Sequence, residues 1–134
     1  MMLVMKELKI GLIYLRPLGS LRMPSNEDVT KLILFDLKNN TIVKDFETHA
    51  FNYHKGARQQ WISDDEFVFN DFDGVMCSKL FDISSSKIER LPFPIDSYCE
   101  VNRVFSSFSY ERLQCGMPGY GYAHSRSDVS DVHT

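Results

Sequence analysis

The sequence predicts an all-β protein built from antiparallel, four-stranded sheets, and three observations carry this prediction. Aromatic residues, mostly Phe and Tyr, make up 13% of the chain, and these residue types favour strands. Residues 59–91 read as four short strands separated by tight polar turns. The segment Leu-Phe-Asp-Leu at 34–37 returns 46 positions later as Leu-Phe-Asp-Ile at 80–83, and an isoleucine, Ile42 or Ile88, follows each copy at the same spacing.

A strand repeat with a period of about 40 to 50 residues is typical of propeller blades. We therefore predict a partial, incomplete β-propeller over residues 1–123, with about two blades and the start of a third. Residues 124–134 are polar, lack a hydrophobic pattern and are predicted to be a C-terminal tail. A length of 134 residues favours a single domain with a modest core.

The first blade is predicted from two apolar runs and a hairpin. The run at 8–15 is a strand, which ends at Pro17 because proline cannot donate to a ladder. A polar loop follows at 18–30 and is long for a hairpin connection. Residues 31–37 are almost continuously apolar, as expected of a strand covered on both faces, and 41–46 returns beside them.

The second blade follows an irregular connector at 47–58. Its predicted strands end at Trp61, start at Glu66, and occupy 76–83 and 87–91. Pro92-Phe93-Pro94 then breaks the sheet, and residues 100–110 read as the inner hairpin of a third blade. Residues 114–123, rich in Gly and Tyr, are predicted to be an ordered loop with little regular structure.

Composition and charge exclude several classes of function. A formal net charge of -3 gives no general attraction to nucleic acid or to an anionic membrane surface. No stretch reaches the roughly 20 apolar residues that span a bilayer, and the N-terminus lacks the pattern of a signal peptide. Cys77, Cys99 and Cys115 lack the spacing of a metal or redox site and fit reduced, structural thiols. We expect a cytoplasmic protein without nucleic-acid or membrane partners.

Aromatic and basic residues around the connector suggest a ligand site. Lys55 and Arg58 stand near aromatic rings, a combination that grips an anionic sugar by charge and stacking. The simpler interpretation is solvated cations beside a tryptophan of the blade core. A sugar- or peptide-binding module would use these rings with the loop at 114–122. The candidate ligand-binding residues are Tyr53, His54, Arg58, Trp61, Tyr120 and Tyr122.

No residue pattern predicts a catalytic, cofactor or metal site. Two histidines and four aspartates suit divalent ions but match no closed zinc motif, so turn and packing roles are favoured. These residues are His49, His54, Asp64, Asp65, Asp71 and Asp73. The glycines at 116–121 precede no helix, which excludes a phosphate-binding loop. We expect them to let the tyrosines pack against a neighbouring blade.

Asp36 and Asp82 hold equivalent positions in the two copies of the repeat. We expect each carboxylate to accept hydrogen bonds from backbone N–H groups of the following turn. A catalytic residue is rarely needed once per blade, so this repetition indicates a structural role.

Several motifs resemble one family. Residues 54–61, which end in Gln-Gln-Trp, resemble the "QG-x-x-x-QW" segment of oligogalacturonate-lyase-like (BNR-repeat type) β-propeller proteins. Phe-Asn-Asp at 69–71 is similar to their "Y/F-N-D" strand, and 91–95 to their "L-P-x-P-I/V" connection. Residues 108–122 resemble their "x-F-x-R-L … R-P-G-Y-G-Y" segment. The resemblance covers about residues 8–123.

This resemblance implies a seven-bladed propeller whose relatives include manganese-dependent lyases of pectic oligosaccharides. Lys55 stands where the family usually has Gln, and Met117 where it often has Arg. The lyases' metal-binding histidines correspond to no residue of this chain, so catalysis is not carried over. We expect a structural or binding module, associating through open strand edges or binding an oligosaccharide. The alternative is a metal-dependent, carbohydrate-active lyase, for which Mn²⁺ would be the cofactor.

Overall fold

The computed structural model describes residues 8–13 and 27–122, and within them the fold is all-β with antiparallel sheets and one short helix. Three predicted parts lie outside these residues: the strand end at 14–15, residues 18–26 of the loop predicted at 18–30, and the tail at 124–134. The last residue of that predicted loop, Thr30, begins the second strand. In chain order, the elements are β1 (Leu8–Ile13), β2 (Thr30–Asp36), β3 (Thr41–Thr48), β4 (Gln60–Trp61), β5 (Glu66–Phe72), β6 (Met76–Asp82), β7 (Lys87–Leu91), β8 (Ser97–Cys99), β9 (Val104–Ser106) and the helix α1 (Tyr110–Gly116).

The predicted four-stranded sheet at 59–91 is confirmed. Strands β4, β5, β6 and β7 are neighbours in that order, each antiparallel to the next. The turn between β5 and β6 contains Gly74 at φ 106, a backbone conformation that favours glycine. Strands β1, β2 and β3 form a second antiparallel sheet, and β8 and β9 form a hairpin.

The internal repeat corresponds to the same hairpin in both sheets. Phe35 pairs with Ile42 between β2 and β3, and Phe81 pairs with Ile88 between β6 and β7. Both turns also place their last residue in the left-handed region, Asn40 at φ 51 and Ser86 at φ 55. The short repeat therefore corresponds to the same four-residue turn and the same pairing of the two residues before it, whereas the pairing of Leu34 and Leu80 differs by a register shift in the first sheet.

The repeated aspartates stabilise these turns, as predicted. The Asp36 carboxylate accepts hydrogen bonds from the Lys38 backbone N–H at 2.9 Å and from the Asn39 side chain at 2.7 Å. Asp82 likewise accepts from the backbone N–H of Ser84 at 2.9 Å and from its hydroxyl. The side-chain hydrogen bonds lower the pKa of both carboxyl groups, because donors favour the charged form.

The main core lies between the two larger sheets. The Phe46 ring, from the edge strand β3, contacts Phe67, Phe69 and Phe81 at centroid distances of 5.6, 5.6 and 4.9 Å. Leu32 and Leu34 of β2, both fully buried, complete this cluster. Apolar side chains of the two sheets thus close on each other and exclude water, which provides most of the driving force for their packing.

The region after β7 differs from the prediction. The hairpin is formed by β8 and β9, with its turn at 100–103, rather than by a hairpin spanning 100–110. Residues 110–116 form α1 instead of a strand end followed by a loop. The Ser109 hydroxyl accepts a hydrogen bond from the Arg112 backbone N–H at 3.2 Å, and this N-terminal cap favours the helix over a strand.

Two buried asparagines hold the C-terminal part on the four-stranded sheet and its connector. The Asn70 side chain accepts from the Ile95 N–H and donates to the Ile95 carbonyl, both at 2.8 Å. It also donates to the Tyr122 hydroxyl at 2.9 Å. The Asn52 amide donates to the carbonyls of Tyr120 and Gly121, both at 3.0 Å. These bonds join segments far apart in sequence.

The three cysteines differ in exposure. All three cysteines are free thiols, with Cys77 buried and the other two exposed. Burial raises the pKa of the Cys77 thiol. Within 8–13 and 27–122 no helix is long and apolar enough to cross a membrane.

Candidate functional site

A half-open cleft lies between the β4–β5 turn and the β8–β9 hairpin. Its volume is about 790 Å³, within the range of small-molecule sites. Its lining residues are Trp61, Ile62, Ser63, Asp64, Glu66, Tyr98, Glu100 and Arg103. The cleft therefore combines two aromatic side chains, one from each wall, with charged groups of both signs.

The two aromatic rings are anchored by packing behind them. Trp61 ends β4, where its ring meets Phe67 of the core edge-on at a centroid distance of 5.4 Å. Tyr98 lies in β8 and packs against Phe105 of the paired strand at 4.9 Å. Both side chains are partly buried, and both residues line the cleft.

The charged lining is mainly acidic. Asp64, Glu66 and Glu100 contribute three carboxylates, against a single guanidinium from Arg103. Arg103 adopts φ 53 at the last position of its turn, the same position that Asn40 and Ser86 hold in theirs. Such a lining offers several acceptors and one multiple donor to a polar ligand, and it repels an anionic one.

A polar clamp fixes the hairpin to the strand that carries Trp61. The Gln60 side chain donates to the Asp96 carbonyl at 3.2 Å and accepts from the Tyr98 N–H at 3.1 Å. Arg58 donates to the same Asp96 carbonyl through Nε at 2.7 Å and through a second nitrogen. Its guanidinium is also 3.4 Å from the Asp96 carboxylate. Arg58 therefore positions the wall of the cleft rather than lining it.

Three of the predicted ligand-binding residues lie away from this cleft. The rings of His54 and Tyr120 stack in parallel, with centroids 4.2 Å apart and 4° between planes. Each ring thus covers one face of the other and leaves no gap for a sugar between them. Tyr53 is 42% exposed, and none of the three lines the cleft.

Tyr122 is fully buried and presents no surface to a ligand. Its ring stacks on Tyr110 at 4.5 Å, and its hydroxyl accepts from Asn70. Burial raises the pKa of Tyr122 well above its usual range and that of Tyr110 to about 12. The adjacent Gly121 permits this packing, because a Cβ there would lie 2.7 Å from Gln114. Gly121 therefore allows close packing beside Tyr122, and packing against a neighbouring blade stays a prediction.

The candidate metal ligands have other partners. Asp71, buried at the end of β5, accepts from the His49 backbone N–H at 3.0 Å and lies 2.7 Å from the Lys79 ammonium. The His49 imidazole is 3.8 Å from the same carboxylate. Asp73 receives two hydrogen bonds from Arg90, at 2.6 and 3.0 Å, which lower its pKa. In the part of the chain that the structure describes, no three His, Cys, Asp or Glu residues form a metal-binding group.

Sequence reasoning identified Trp61 but missed the other half of the cleft. The third hairpin was predicted to begin at Glu100. The strand with Tyr98 and the turn with Glu100 and Arg103 were therefore not predicted. The turn formed by 100–103 carries no glycine or proline, so its usual signals are missing. The alternation Ser-Tyr-Cys at 97–99, between the prolines and a polar stretch, was the available signal for β8.

Comparison with known proteins does not identify a function for this site. No family model, no curated protein and no solved structure matches the chain. The case for a function therefore rests on the residues and geometry of the cleft.

Proposed function

We propose that this chain is a β-propeller segment acting as a binding module that holds a neutral oligosaccharide beside Trp61. Successive antiparallel sheets packed face to face, with the same repeated hairpin in two of them, support the propeller part of this proposal. Their short connections along the chain also follow the pattern of consecutive blades.

The pairing of Trp61 and Tyr98 across one cleft carries the binding proposal. Aromatic rings provide flat apolar surfaces on which the C–H faces of a sugar ring pack, and polar groups around them fix orientation. Here the carboxylates accept hydrogen bonds from sugar hydroxyls, and Arg103 donates to ring or hydroxyl oxygens. The cleft volume of about 790 Å³ lies within the roughly 300–1,000 Å³ range of ligand pockets.

The charge of the lining selects a neutral sugar over an acidic one. Three carboxylates face one guanidinium, so a uronic acid carboxylate entering the cleft meets net repulsion. Arg58, the cation expected to attract such a group, is already bound to Asp96. An oligogalacturonate is therefore the poorer ligand for this cleft.

Fluorescence of Trp61 tests the proposal directly, because it is the single tryptophan of the chain. The chain is titrated with neutral gluco-, galacto- and xylo-oligosaccharides and, separately, with oligogalacturonate. A saturable spectral change with at least one neutral sugar, and a weaker one with oligogalacturonate, is the expected result. Absence of a change with every neutral sugar, from protein that unfolds cooperatively, would refute the proposal.

A pair of tyrosine variants locates the binding site. Tyr98→Ala removes one wall of the cleft and should weaken binding on the order of tenfold, the scale of losing one aromatic contact. Tyr53→Ala removes an exposed ring outside the cleft and should leave binding unchanged. Equal losses in both variants would place the ligand elsewhere.

Incubation with oligogalacturonate and Mn²⁺ separates this proposal from a pectate-type lyase. A lyase would produce an unsaturated sugar with ultraviolet absorbance, whereas a binding module should produce none. Product formation that the Tyr98→Ala variant loses would replace the binding proposal by the catalytic one.

A further inference from the structure

Strand β7 forms an open edge of the four-stranded sheet in the part of the chain that the structure describes. Four of its five residues are exposed, including Ile88 at 47%. Its pairing with β6 runs from Ser78–Leu91 to Asp82–Lys87 without a register shift. The strand contains no proline and no bulge, so its protection against pairing with another chain comes from the charges of Lys87, Glu89 and Arg90.

The charges on this edge are ordered by face. Lys87 and Glu89, two positions apart, lie on one face of the sheet, and Ile88 lies on the face of its partner Phe81. Arg90 is on the Ile88 face and is bound to the Asp73 carboxylate. One face of the edge therefore presents a lysine and a glutamate side by side, and the other presents an isoleucine.

This order is self-complementary under two-fold symmetry. A two-fold axis perpendicular to an antiparallel sheet places residues of the same face opposite each other, so a strand pairs with its copy around one central residue. Centred on Ile88, the pairing sets the two isoleucines side by side and Lys87 of each copy opposite Glu89 of the other. A pairing centred on Lys87 sets lysine opposite lysine, and one centred on Glu89 sets glutamate opposite glutamate. Both like-charge pairs are destabilising.

We propose that two copies of this chain associate through antiparallel pairing of their β7 strands, with Ile88 at the two-fold axis. The edge hydrogen bonds of each strand find partners, two ion pairs form on one face, and the exposed isoleucines pack on the other. The second copy thus joins the two four-stranded sheets into one continuous sheet. This interface is separate from the cleft beside Trp61.

The longest edge strand that the structure describes, β3, lacks this complementarity. Its pairing with β2 shifts register between Leu34 and Phe35, which distorts the edge. Lys44 pairs with Leu34 on one face, whereas Asp45 pairs with Ile33 on the other. No two-fold pairing brings these opposite charges together, so β3 serves as the internal comparison.

Variants that exchange the charges along β7 test the proposal. Their monomer–dimer equilibrium is measured by sedimentation velocity over a range of concentrations of the full chain. The wild type should show a reversible monomer–dimer equilibrium. Lys87→Glu and Glu89→Lys each place like charges opposite each other twice, and each should weaken the dimer on the order of tenfold. The double exchange restores opposite charges and should restore dimerisation. Asp45→Lys, on the β3 edge, should change nothing.

A cysteine at the axis tests the register. In a Cys99→Ser, Cys115→Ser background, Ile88→Cys should form a disulfide-linked dimer on mild oxidation, because opposed antiparallel residues lie about 4.5–5.5 Å apart between Cα atoms, within disulfide reach. Ser86→Cys, two positions off the axis, should crosslink far less. A wild type that stays monomeric, a dimer unaffected by either charge reversal, or equal crosslinking at both positions would each overturn the proposal.

Discussion

Replacement of Asn70 by alanine should release the C-terminal part of the chain from the four-stranded sheet. The Asn70 side chain is fully buried and makes three hydrogen bonds, two to the Ile95 backbone and one to the Tyr122 hydroxyl. In the variant the Ile95 carbonyl keeps a partner, since Tyr110 donates to it at 2.7 Å. The Ile95 N–H, in contrast, loses the acceptor that Asn70 provides.

The expected cost follows from these contacts. A buried N–H without an acceptor costs about 1–3 kcal/mol, and each lost neutral hydrogen bond contributes about 1 kcal/mol. Asn70→Ala should therefore lower the free energy of unfolding by about 3 kcal/mol. Tyr122→Phe removes one of the same bonds and should cost about 1 kcal/mol. The double variant should cost less than the sum, because the shared bond is lost only once.

Urea denaturation followed by circular dichroism measures these changes, with Asn102→Ala as the matched control. Asn102 is exposed in the β8–β9 turn, and its replacement should cost less than about 0.5 kcal/mol. Trp61 emission should shift in Asn70→Ala below the main unfolding transition, because the segment leading into the hairpin that carries Tyr98 loses its attachment to Asn70 at Ile95 and keeps the bonds to Gln60 and Arg58. Equal stability of the Asn70→Ala and Asn102→Ala variants would refute this account of how the C-terminal part is held.

Three further predictions concern the backbone and the buried tyrosines. Gly121→Ala should lower the free energy of unfolding by about 1–3 kcal/mol, because the added Cβ overpacks against Gln114. Gly116→Ala should be neutral or stabilising, because the space around its Cβ position is open. Thermal unfolding of both variants measures the difference. Ser86→Gly should stabilise the β6–β7 turn by about 1 kcal/mol, because Ser86 adopts φ 55, and Ser85→Gly is the control in urea denaturation. The folded-state pKa of Tyr110 is raised from 10.0 to about 12, so stability present below pH 10 should be lost as pH rises through 12. Absorbance at alkaline pH should show two of the six tyrosines ionising only together with unfolding, and their early ionisation in folded protein would contradict the burial of Tyr110 and Tyr122.

The local pattern of the sequence was sufficient for the two larger sheets. Alternation and turn residues placed the four strands of 59–91 within about one residue, since strand periodicity and turn chemistry depend on neighbouring residues only. The repeat correctly indicated that Asp36 and Asp82 stabilise equivalent turns. The end of the chain was harder, because the Ser109 cap and the turn at 100–103 are weak signals beside the strong aromatic content of that stretch.

The candidate site could be predicted only in part for the same reason. Trp61 stood out as a single aromatic residue near a turn, but its partner Tyr98 is 37 positions away and meets it only after the hairpin is folded onto β4. The expected grouping of His54 and Arg58 with Trp61 relied on nearness along the chain, and Tyr120 was included as part of the loop at 114–122. The fold instead stacks His54 on Tyr120 and binds Arg58 to Asp96.

By itself, the sequence determined the all-β character, the hairpins and their turns, because these depend on periodicity, propensity and short-range hydrogen bonds. Only the tertiary structure decided which polar side chains are buried and join distant segments, as Asn70 does. It also decided which side chains line a cleft, as Tyr98 does. It also decided that Lys87, Ile88 and Glu89 form an exposed edge, since strand order within a sheet determines which strand is outermost. These outcomes depend on contacts between residues distant in sequence, and no local pattern encodes them.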